Sequence, residues 1–504
     1  MHRAQGFKHT VIKLTQGLVP YAQPSLSFGQ LWEANLVPLK NGIFMQLLPL
    51  IIVIKVVILP LKNGNMYLRR EIDKELSDWS RETSRKPLLI RGARQVGKSS
   101  SVRELSKNFE FFLEVNFEEQ KQVHSLFEGD LSPEDLCRNL SIMYNIQVIP
   151  GRSLVFFDEV QACKGAISAL RFFYEKMPGL HLIAAGSLLE FALEELPSFG
   201  VGRIRSVFMY PFSFDEFLLA CGEKLLLKAK KEASTDNPLQ DSVHNKLLSL
   251  LKKFLVLGGM PEVVAMYVER MDMIECQRIL DDLIISLRAD FTKYNKRVPS
   301  LRISEVFDSV IKQSGAKFKY STVVSESNHK QIKEALDLLV MAGLVIPVTH
   351  TSANGLPLGA EADPKKRKML ILDTGVFQRM AGLDIPEIMF EADTDLINKG
   401  SMAELYVGLE LLKASSCYTQ NNLYYWHREA LNSNAEVDYI IQKNKDIIPI
   451  EVKSGKKGSM QSLFLFLKEK NRPYGIRLSL ENFSRYGQIL SCPLYSVREV
   501  LTGK

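Results

Sequence analysis

One short segment has the residue types and spacing that bind a phosphate chain. Residues 92–99 read GARQVGKS, which fits the pattern G-x-x-x-x-G-K-[ST]. In such a loop the backbone N–H groups wrap the phosphates, the lysine reaches the β- and γ-phosphates, and the hydroxyl binds Mg²⁺. We therefore expect Lys98 and Ser99 to hold a nucleoside triphosphate and its magnesium ion. The expected binding loop comprises Gly92, Ala93, Arg94, Gln95, Val96, Gly97, Lys98, Ser99 and Ser100.

The segments on either side of this loop predict the elements that must position it. Residues 86–91 (KPLLIR) predict a short buried strand, and the chain from Ser100 onward predicts a helix. A strand, a glycine loop and a helix form the context that phosphate binding requires, and the helix N-terminus adds a positive dipole end. This context favours a phosphate loop over a chance glycine turn.

A second motif supplies acidic residues. Residues 153–159 (SLVFFDE) predict a buried strand that ends in two carboxylates. Asp158 is expected to hold Mg²⁺, and Glu159 to orient and polarise the attacking water. The alternative is an inert pair of exposed acids at a strand end. A further strand at 111–117 lies between the two motifs, and this arrangement resembles the additional-strand class of P-loop ATPases.

Two more polar positions could assist phosphoryl transfer. A strand at 181–186 ends at Ser187, whose hydroxyl could sense the γ-phosphate or could cap the following helix. Arg203 is the candidate for a charge-stabilising catalytic arginine, with Arg205 as a second choice. Either could instead be a plain surface arginine, in which case a neighbouring subunit of a homo-oligomer would supply the arginine.

Three further motifs identify a family. MYLRR at 66–70, YPFSFDEF at 210–217 after Gly202-Arg203, and LGGMPE at 257–262 resemble a family of bacterial and archaeal AAA-type ATPases. Its members carry a C-terminal domain of unknown function, number 4143. The resemblance covers about residues 66–500. It implies an α/β fold with a P-loop ATPase core on a parallel sheet at 66–211, a helical lid at 212–298, a winged-helix-like module at 299–350 and a restriction-endonuclease-like domain at 369–504.

Basic residues in the middle of the chain raise the question of DNA binding. Residues 301–348 read helix, short helix, helix, strand, which is the order of a winged helix. His329, Lys330 and Lys333 would lie on the exposed side of its third helix, which either reads DNA or packs against protein. Lys365–Lys368 (KKRK) is either a solvated loop or a contact to a phosphate backbone.

Residues 436–453 predict a hairpin with carboxylates on one face. Residues 436–441 and 447–453 read as strands joined by a turn at 443–446. A turn centred between Asn444 and Lys445 places Asp438 opposite Glu451. Two opposed carboxylates are destabilising unless something neutralises them, and a divalent cation would do so.

The same residues resemble the D…E-x-K motif of PD-(D/E)xK nucleases. That resemblance implies a possible nuclease site made of Glu404 on a preceding helix, together with Asp438, Glu451 and Lys453. In such a site the carboxylates bind Mg²⁺ and the lysine activates water or stabilises the transition state. The alternative is a charged but inert face.

The charge distribution limits where nucleic acid could bind. The 504 residues carry a net charge of +7, but residues 1–65 contain six basic residues and one acidic residue. The remainder is close to neutral, so any DNA surface must be a local patch. Residues 1–65 fall outside the family resemblance. We expect a poorly ordered leader or a misassigned start, although the apolar run at 43–61 leaves a membrane anchor as a less favoured alternative.

Taken together, these features predict an ATPase with ATP and Mg²⁺ as cofactors. Six scattered cysteines without a C-x-x-C pair favour a reduced, cytoplasmic chain. Two functions stay open for the whole protein. ATP hydrolysis could control a C-terminal nuclease that acts on DNA, or it could drive a switch whose C-terminal domain binds a protein or DNA partner without cleaving it.

Overall fold

The computed structural model describes residues 67–129, 132–196, 200, 202–294, 298–323, 329–385, 400–429, 434–455 and 459–502. The expected leader at 1–65 and its apolar run at 43–61 lie outside these described residues. Among the helices that are described, none combines the length and hydrophobicity that a bilayer crossing requires.

The first sheet contains five parallel strands in the spatial order β2-β3-β4-β1-β5. Every residue of β3 and β4 is buried, as expected for strands that helices cover on both faces. The strands are β1 (Leu88–Arg91), β2 (Phe111–Asn116), β3 (Ser153–Asp158), β4 (His181–Ala185) and β5 (Arg205–Phe208).

The position of β4 confirms the additional-strand class. Ile183 of β4 pairs with Leu88 of β1 on one side and with Phe156 of β3 on the other. An extra strand therefore separates the strand before the glycine loop from the strand that ends in the acids. The sequence order had pointed to the strand at 111–117 for this role, but β2 instead forms the sheet edge beyond β3.

Short helices connect these strands and cover the sheet. They are α1 (Ile72–Arg81), α2 (Lys98–Ser106), α3 (Pro133–Tyr144), α4 (Lys164–Lys176) and α5 (Leu189–Glu194), with 3₁₀ turns at Lys121–Phe127 and Val160–Ala162. Helix α2 starts at the lysine of the glycine loop, so the predicted strand, loop and helix are all present.

The chain after β5 is helical, as its periodicity predicts. It forms α6 (Phe214–Ala220), α7 (Lys224–Glu232), α8 (Asp241–Leu257), α9 (Pro261–Arg270), α10 (Met273–Ala289) and α11 (Phe291–Tyr294). Ser213 and Glu216 form a capping box that fixes the start of α6. Pro261 takes the first position of α9, where its missing N–H costs no hydrogen bond.

The next segment has the predicted order of helix, short helix, helix and strand. These elements are α12 (Ser300–Lys312), a 3₁₀ turn at Tyr320–Thr322, α13 (His329–Met341) and β6 (Val345–Thr351). However, β6 pairs with β7 (Ala362–Ile371) on one side and with β8 (Leu423–His427) on the other. The last strand of this segment is therefore part of a larger sheet.

That second sheet has eight strands in the order β12-β13-β11-β10-β9-β8-β6-β7. Its remaining strands are β9 (Glu436–Lys443), β10 (Asp446–Val452), β11 (Gly475–Ser479), β12 (Ser484–Tyr486) and β13 (Ile489–Pro493). The helices of this part are α14 (Thr374–Met380), α15 (Gly400–Ala414), α16 (Gln461–Glu469) and α17 (Val497–Thr502).

The predicted hairpin of β9 and β10 has the expected register. Lys443 pairs with Asp446, and the pairing continues without a shift to Tyr439 opposite Ile450. Asn444 lies in the turn with a positive φ of 56°, which asparagine tolerates better than most residues. The short turn therefore fixed which side chains lie opposite each other.

Candidate functional site

The glycine loop lies between β1 and α2, at the carboxyl end of the parallel sheet. Gly92 and Gly97 have φ values of 146° and 97°, a region in which residues with a Cβ are strained. A Cβ on Gly92 would also lie 2.2 Å from the carbonyl oxygen of Met209. Both glycines are thus required by the backbone, and they leave the loop N–H groups and the start of α2 in the phosphate-binding arrangement.

Lys98 is buried at the start of α2. Its Nζ donates hydrogen bonds to the carbonyl oxygens of Gly92 at 3.0 Å and Ala93 at 2.8 Å. Burial lowers the pKa of Lys98 to about 8, although the nearby carboxylates of Glu159 and Asp158 oppose this effect. The ammonium group therefore lies inside the loop, where a bound phosphate chain would meet it.

Ser99 and Asp158 meet as the two motifs predict. The Ser99 hydroxyl donates a hydrogen bond of 2.8 Å to Oδ2 of Asp158, which is the last residue of β3. Burial raises the pKa of Asp158, and the Ser99 hydrogen bond partly offsets this. A hydroxyl and a carboxylate are hard oxygen donors, so their chemistry fits Mg²⁺ bound together with nucleotide phosphates.

Glu159 has a left-handed backbone conformation, with φ of 47°, and its carboxylate has two side-chain partners. Gln161 Nε2 donates to Oε2 at 2.6 Å, and the Ser187 hydroxyl donates to the same oxygen at 3.2 Å. Helix α5 has Leu188 at its N-cap, so the capping role considered for Ser187 is wrong. The sequence reasoning missed Gln161, although it lies only two residues after Glu159.

The two candidate catalytic arginines have other partners. Arg203 forms an exposed ion pair with Glu175 on α4, and Arg205 pairs with Glu82. Within the described part of the chain, the hydrogen-bond partners of both arginines lie away from the glycine loop. The catalytic role of Arg203 therefore stays a prediction.

Two arginines at the loop contact more distant segments. Arg94 Nη1 lies 2.7 and 2.6 Å from the carboxylate oxygens of Asp290, just after α10. Arg70 is buried and donates to the carbonyl oxygen of Val96 at 3.0 Å and to Glu216 of α6 at 3.0 Å. The turn at Gly343 also approaches the loop, since a Cβ there would lie 3.3 Å from the Ala93 nitrogen.

The four residues of the predicted C-terminal site fall into one cluster, but with an unpredicted member. The Nζ of Lys368, on β7, lies 2.7 Å from Glu404, 2.5 Å from Glu436 and 4.0 Å from Asp438. Its side chain is only 2% exposed. From the sequence, Lys368 is expected in a solvated loop or in contact with a phosphate backbone, and both expectations are wrong for this buried residue.

The other half of the cluster contains Glu451 and Lys453. Lys453 Nζ lies 2.6 Å from Glu451 Oε1, whereas Asp438 Oδ2 accepts the Val452 N–H at 2.7 Å. Burial raises the pKa of Glu451 to about 7, and the negative charge of Asp438 adds to this. Burial likewise raises the pKa of Glu404 to about 8, with Lys368 opposing the shift.

This arrangement does not fit a divalent cation. In the described ranges, no group of three or more His, Cys, Asp and Glu residues is arranged to hold a metal ion. The ammonium group of Lys368 already lies beside Glu404 and Asp438 and compensates their negative charge. The prediction of a metal-binding nuclease site at Glu404, Asp438, Glu451 and Lys453 gains no support from this geometry.

The basic run at 365–368 is a strand rather than a loop. Lys366 pairs with Glu429 and Asp363, and Arg367 donates to the hydroxyl of Tyr320. Lys365 is exposed. The four basic residues thus differ in burial and in partners, which weakens the predicted contact to a phosphate backbone.

Comparison with known domain families gives three matches along the chain. An AAA domain matches residues 84–218, and a domain of unknown function, DUF4143, matches residues 399–495. The chain is therefore similar to an AAA domain near its start and to DUF4143 near its C-terminus. Between them, residues 248–387 match a second domain of unknown function, DUF8612. All residues of the glycine loop and the acidic pair lie inside the AAA domain, whereas Lys368 lies outside the DUF4143 match.

Solved structures also show similarity to the chain. A Walker-type ATPase of Pyrococcus abyssi is 15% identical, with a TM-score of 0.41 over 64% of this chain and 99% of that chain. A comparison with curated proteins gives no match.

Proposed function

We propose that the chain binds ATP with Mg²⁺ and hydrolyses the γ-phosphate at the carboxyl end of the AAA-domain sheet. The observation that carries this proposal is the 2.8 Å hydrogen bond between Ser99 and Asp158, which brings the phosphate loop and the acidic strand end together. The match of residues 84–218 to an AAA domain supports the same chemistry.

Each side chain has a separate role in this proposal. Lys98 binds the β- and γ-phosphates, while Ser99 and Asp158 hold the magnesium ion. When bound, magnesium neutralises charge on the phosphates. Glu159 accepts a hydrogen bond from the attacking water and orients it, and Ser187 and Gln161 fix the direction of the Glu159 carboxylate.

We further propose that nucleotide binding drives a switch. The glycine loop approaches three residues outside the AAA-domain match: Asp290, which Arg94 contacts, Gly343 beside Ala93, and Arg70, which donates to the Val96 carbonyl. A nucleotide that changes the conformation of the loop also changes these contacts, because each contact involves a side chain or a backbone atom of the loop. Of the two functions that the sequence leaves open, we favour the switch, because the Lys368 ammonium lies beside two carboxylates of the predicted nuclease site.

The central experiment compares ATP turnover in the full chain and in single variants. Lys98→Ala should lose ATP binding, whereas Glu159→Gln should keep binding and lose turnover by about 100-fold or more. Glu110→Gln is the matched control, because Glu110 pairs with Arg152 in an exposed position at the end of the sheet away from the loop. Unchanged turnover in both site variants would refute the proposal.

A second experiment separates the two functions of the whole protein. The wild-type chain is incubated with plasmid DNA, Mg²⁺ and ATP, and binding and cleavage are measured separately. DNA binding without cleavage would support a switch with a DNA partner, and neither activity would direct the search to a protein partner. Cleavage that Asp438→Ala abolishes would establish the nuclease instead.

A further inference from the structure

Lys368 is a charged residue in an almost fully buried place. It lies on β7, and its side chain is 2% exposed. The neighbouring strand residues Lys365 and Lys366 are more exposed and belong to the surface. Burying an ammonium group is unfavourable unless negative charges surround it, so the environment of Lys368 must supply them.

That environment is a group of carboxylates from two other elements. Glu404 comes from α15, and Glu436 and Asp438 come from β9; all three have an oxygen within 4.0 Å of the Lys368 Nζ. The Nζ also lies 5.2 Å from the centre of the Tyr425 ring. Burial alone would lower the pKa of Lys368, but these carboxylates outweigh it and raise the pKa, so the amine stays charged.

One oxygen of each of three carboxylates already accepts a hydrogen bond. Glu404 Oε1 accepts from Lys368, Asp438 Oδ2 accepts from the Val452 N–H, and Glu451 Oε1 accepts from Lys453. Among the described atoms of this cluster, the buried Oε2 of Glu451 has no hydrogen-bond partner. The Lys368 ammonium therefore supplies positive charge beside Glu404, Glu436 and Asp438, where a divalent ion would otherwise have to neutralise these carboxylates.

We propose that the Lys368 ammonium is the resident cation of the DUF4143 carboxylate cluster and that it excludes a divalent metal from this site. The lysine comes from the segment that matches DUF8612, whereas the carboxylates belong to the DUF4143 match. The β6–β7 hairpin therefore closes a cation site that the C-terminal domain forms. The cluster joins β7 to α15 and β9, and its role is to hold these elements together rather than to cleave a phosphodiester.

Measurement of Mn²⁺ binding to the nucleotide-free full chain tests this proposal. Electron paramagnetic resonance detects the unbound ion. Wild type and Asp438→Asn should bind the same amount of Mn²⁺. Lys368→Met should gain one bound Mn²⁺ per chain, and the double variant Lys368→Met with Asp438→Asn should lose it again. Lys365→Met, an exposed position on the same strand, is the control and should behave as wild type.

Three results would overturn the proposal. The first is a Mn²⁺ ion that wild type binds and Asp438→Asn loses. The second is a folded Lys368→Met variant that gains no Mn²⁺, and the third is a Lys365→Met variant that gains one. If Lys368→Met does not fold, the double variant Lys368→Met with Glu404→Gln replaces it, because it removes one charge of each sign. The comparison of Mn²⁺ binding by wild type and by Asp438→Asn tests the proposal in either case. ATP turnover is measured in parallel, so a failure of the AAA-domain site is recognised separately.

Discussion

Replacing Arg70 should destabilise the chain far more than the loss of a surface charge. Its guanidinium donates to Glu216 at 3.0 Å, to the Val96 carbonyl at 3.0 Å and to the Tyr210 carbonyl at 2.7 Å. It also lies 4.1 Å from the centre of the Phe212 ring. Since the side chains of Arg70 and Glu216 are each 6% exposed, the energies of buried ion pairs apply here.

The loss of stability in Arg70→Met depends on the buried Glu216 carboxylate that loses its partner. Breaking a buried pair by removing one partner costs about 3–5 kcal/mol, because an uncompensated charge stays buried. Glu216 keeps the backbone N–H groups of Glu71 and Ser213, at 2.7 and 2.8 Å, so the lower end of that range applies. For a folding unit that spans residues 66–504, a loss of 3 kcal/mol lowers the melting temperature by roughly 3 °C.

A double-mutant cycle provides the measurement. Thermal unfolding is followed for Arg70→Met, Glu216→Gln and the double variant, and the double variant should be less destabilised than the sum of the single variants by about 1–3 kcal/mol. Arg81→Met is the control, since Arg81 pairs with Asp78 at an exposed position and should change stability by less than about 0.5 kcal/mol. The reasoning fails if Arg70→Met melts like wild type, or if the two single effects are simply additive.

Three further predictions concern protonation and the catalytic carboxylate. Because burial lowers the pKa of Lys98 to about 8, ATP affinity should fall between pH 7 and pH 9 as the ammonium is lost; a fluorescent ATP analogue measures this, and constant affinity would contradict it. The raised pKa of Glu404, about 8, stabilises the folded state at low pH, and this contribution is lost as the pH rises from the unfolded value to about 8. The difference in melting temperature between Glu404→Gln and wild type should therefore favour the variant more at pH 9 than at pH 6. Equal differences at both pH values would contradict this prediction. Ser187→Ala should lower kcat for ATP with little change in KM, because Ser187 contacts Glu159 rather than the phosphate loop; the opposite pattern in steady-state kinetics would remove Ser187 from this role.

Sequence patterns predicted those parts of the two sites whose residues lie close together in the chain. The glycine loop and the Asp158–Glu159 pair were predictable because each follows a short buried strand within a few residues. The register of β9 and β10 was predictable for the same reason, since a short turn fixes which residues lie opposite each other. In each of these cases the relevant residues are close in the chain.

The missed contacts join residues that are far apart in the chain. Arg70 and Glu216 are separated by 146 residues, and Lys368 lies 36 residues before its partner Glu404. The glycines of the LGGMPE motif give another example. A Cβ on Gly258 would lie 2.1 Å from a carboxylate oxygen of Asp373, whose other oxygen accepts the Gly259 N–H. No pattern in one sequence names such partners, because tertiary packing brings them together.

The KKRK run shows a different reason for error. A count of charges treats the four residues as one patch, but side chains on a strand alternate between its two faces. Lys366 pairs at the surface with Glu429, whereas Lys368 is buried against Glu404 and Glu436. Alternation alone places Lys366 and Lys368 on the same face, so their different environments come from tertiary packing, which buries β7 from residue 368 onward.

Helix α6 is the element through which the glycine loop and the C-terminal part are connected. Its Glu216 is bound by Arg70, which also holds the Val96 carbonyl of the loop. On its other side, the Phe214 N–H donates to Glu410 of α15, and Asp215 lies 2.8 Å from Lys230, which in turn pairs with Glu499 of α17.

These contacts lie on three consecutive residues of one helical turn. The capping box fixes that turn, so a movement of Glu216 displaces Phe214 and Asp215 with it. In the proposed switch, a nucleotide-dependent change at Val96 would therefore reach α15 and α17 as a movement of this turn, without direct contact between ATP and the region that matches DUF4143.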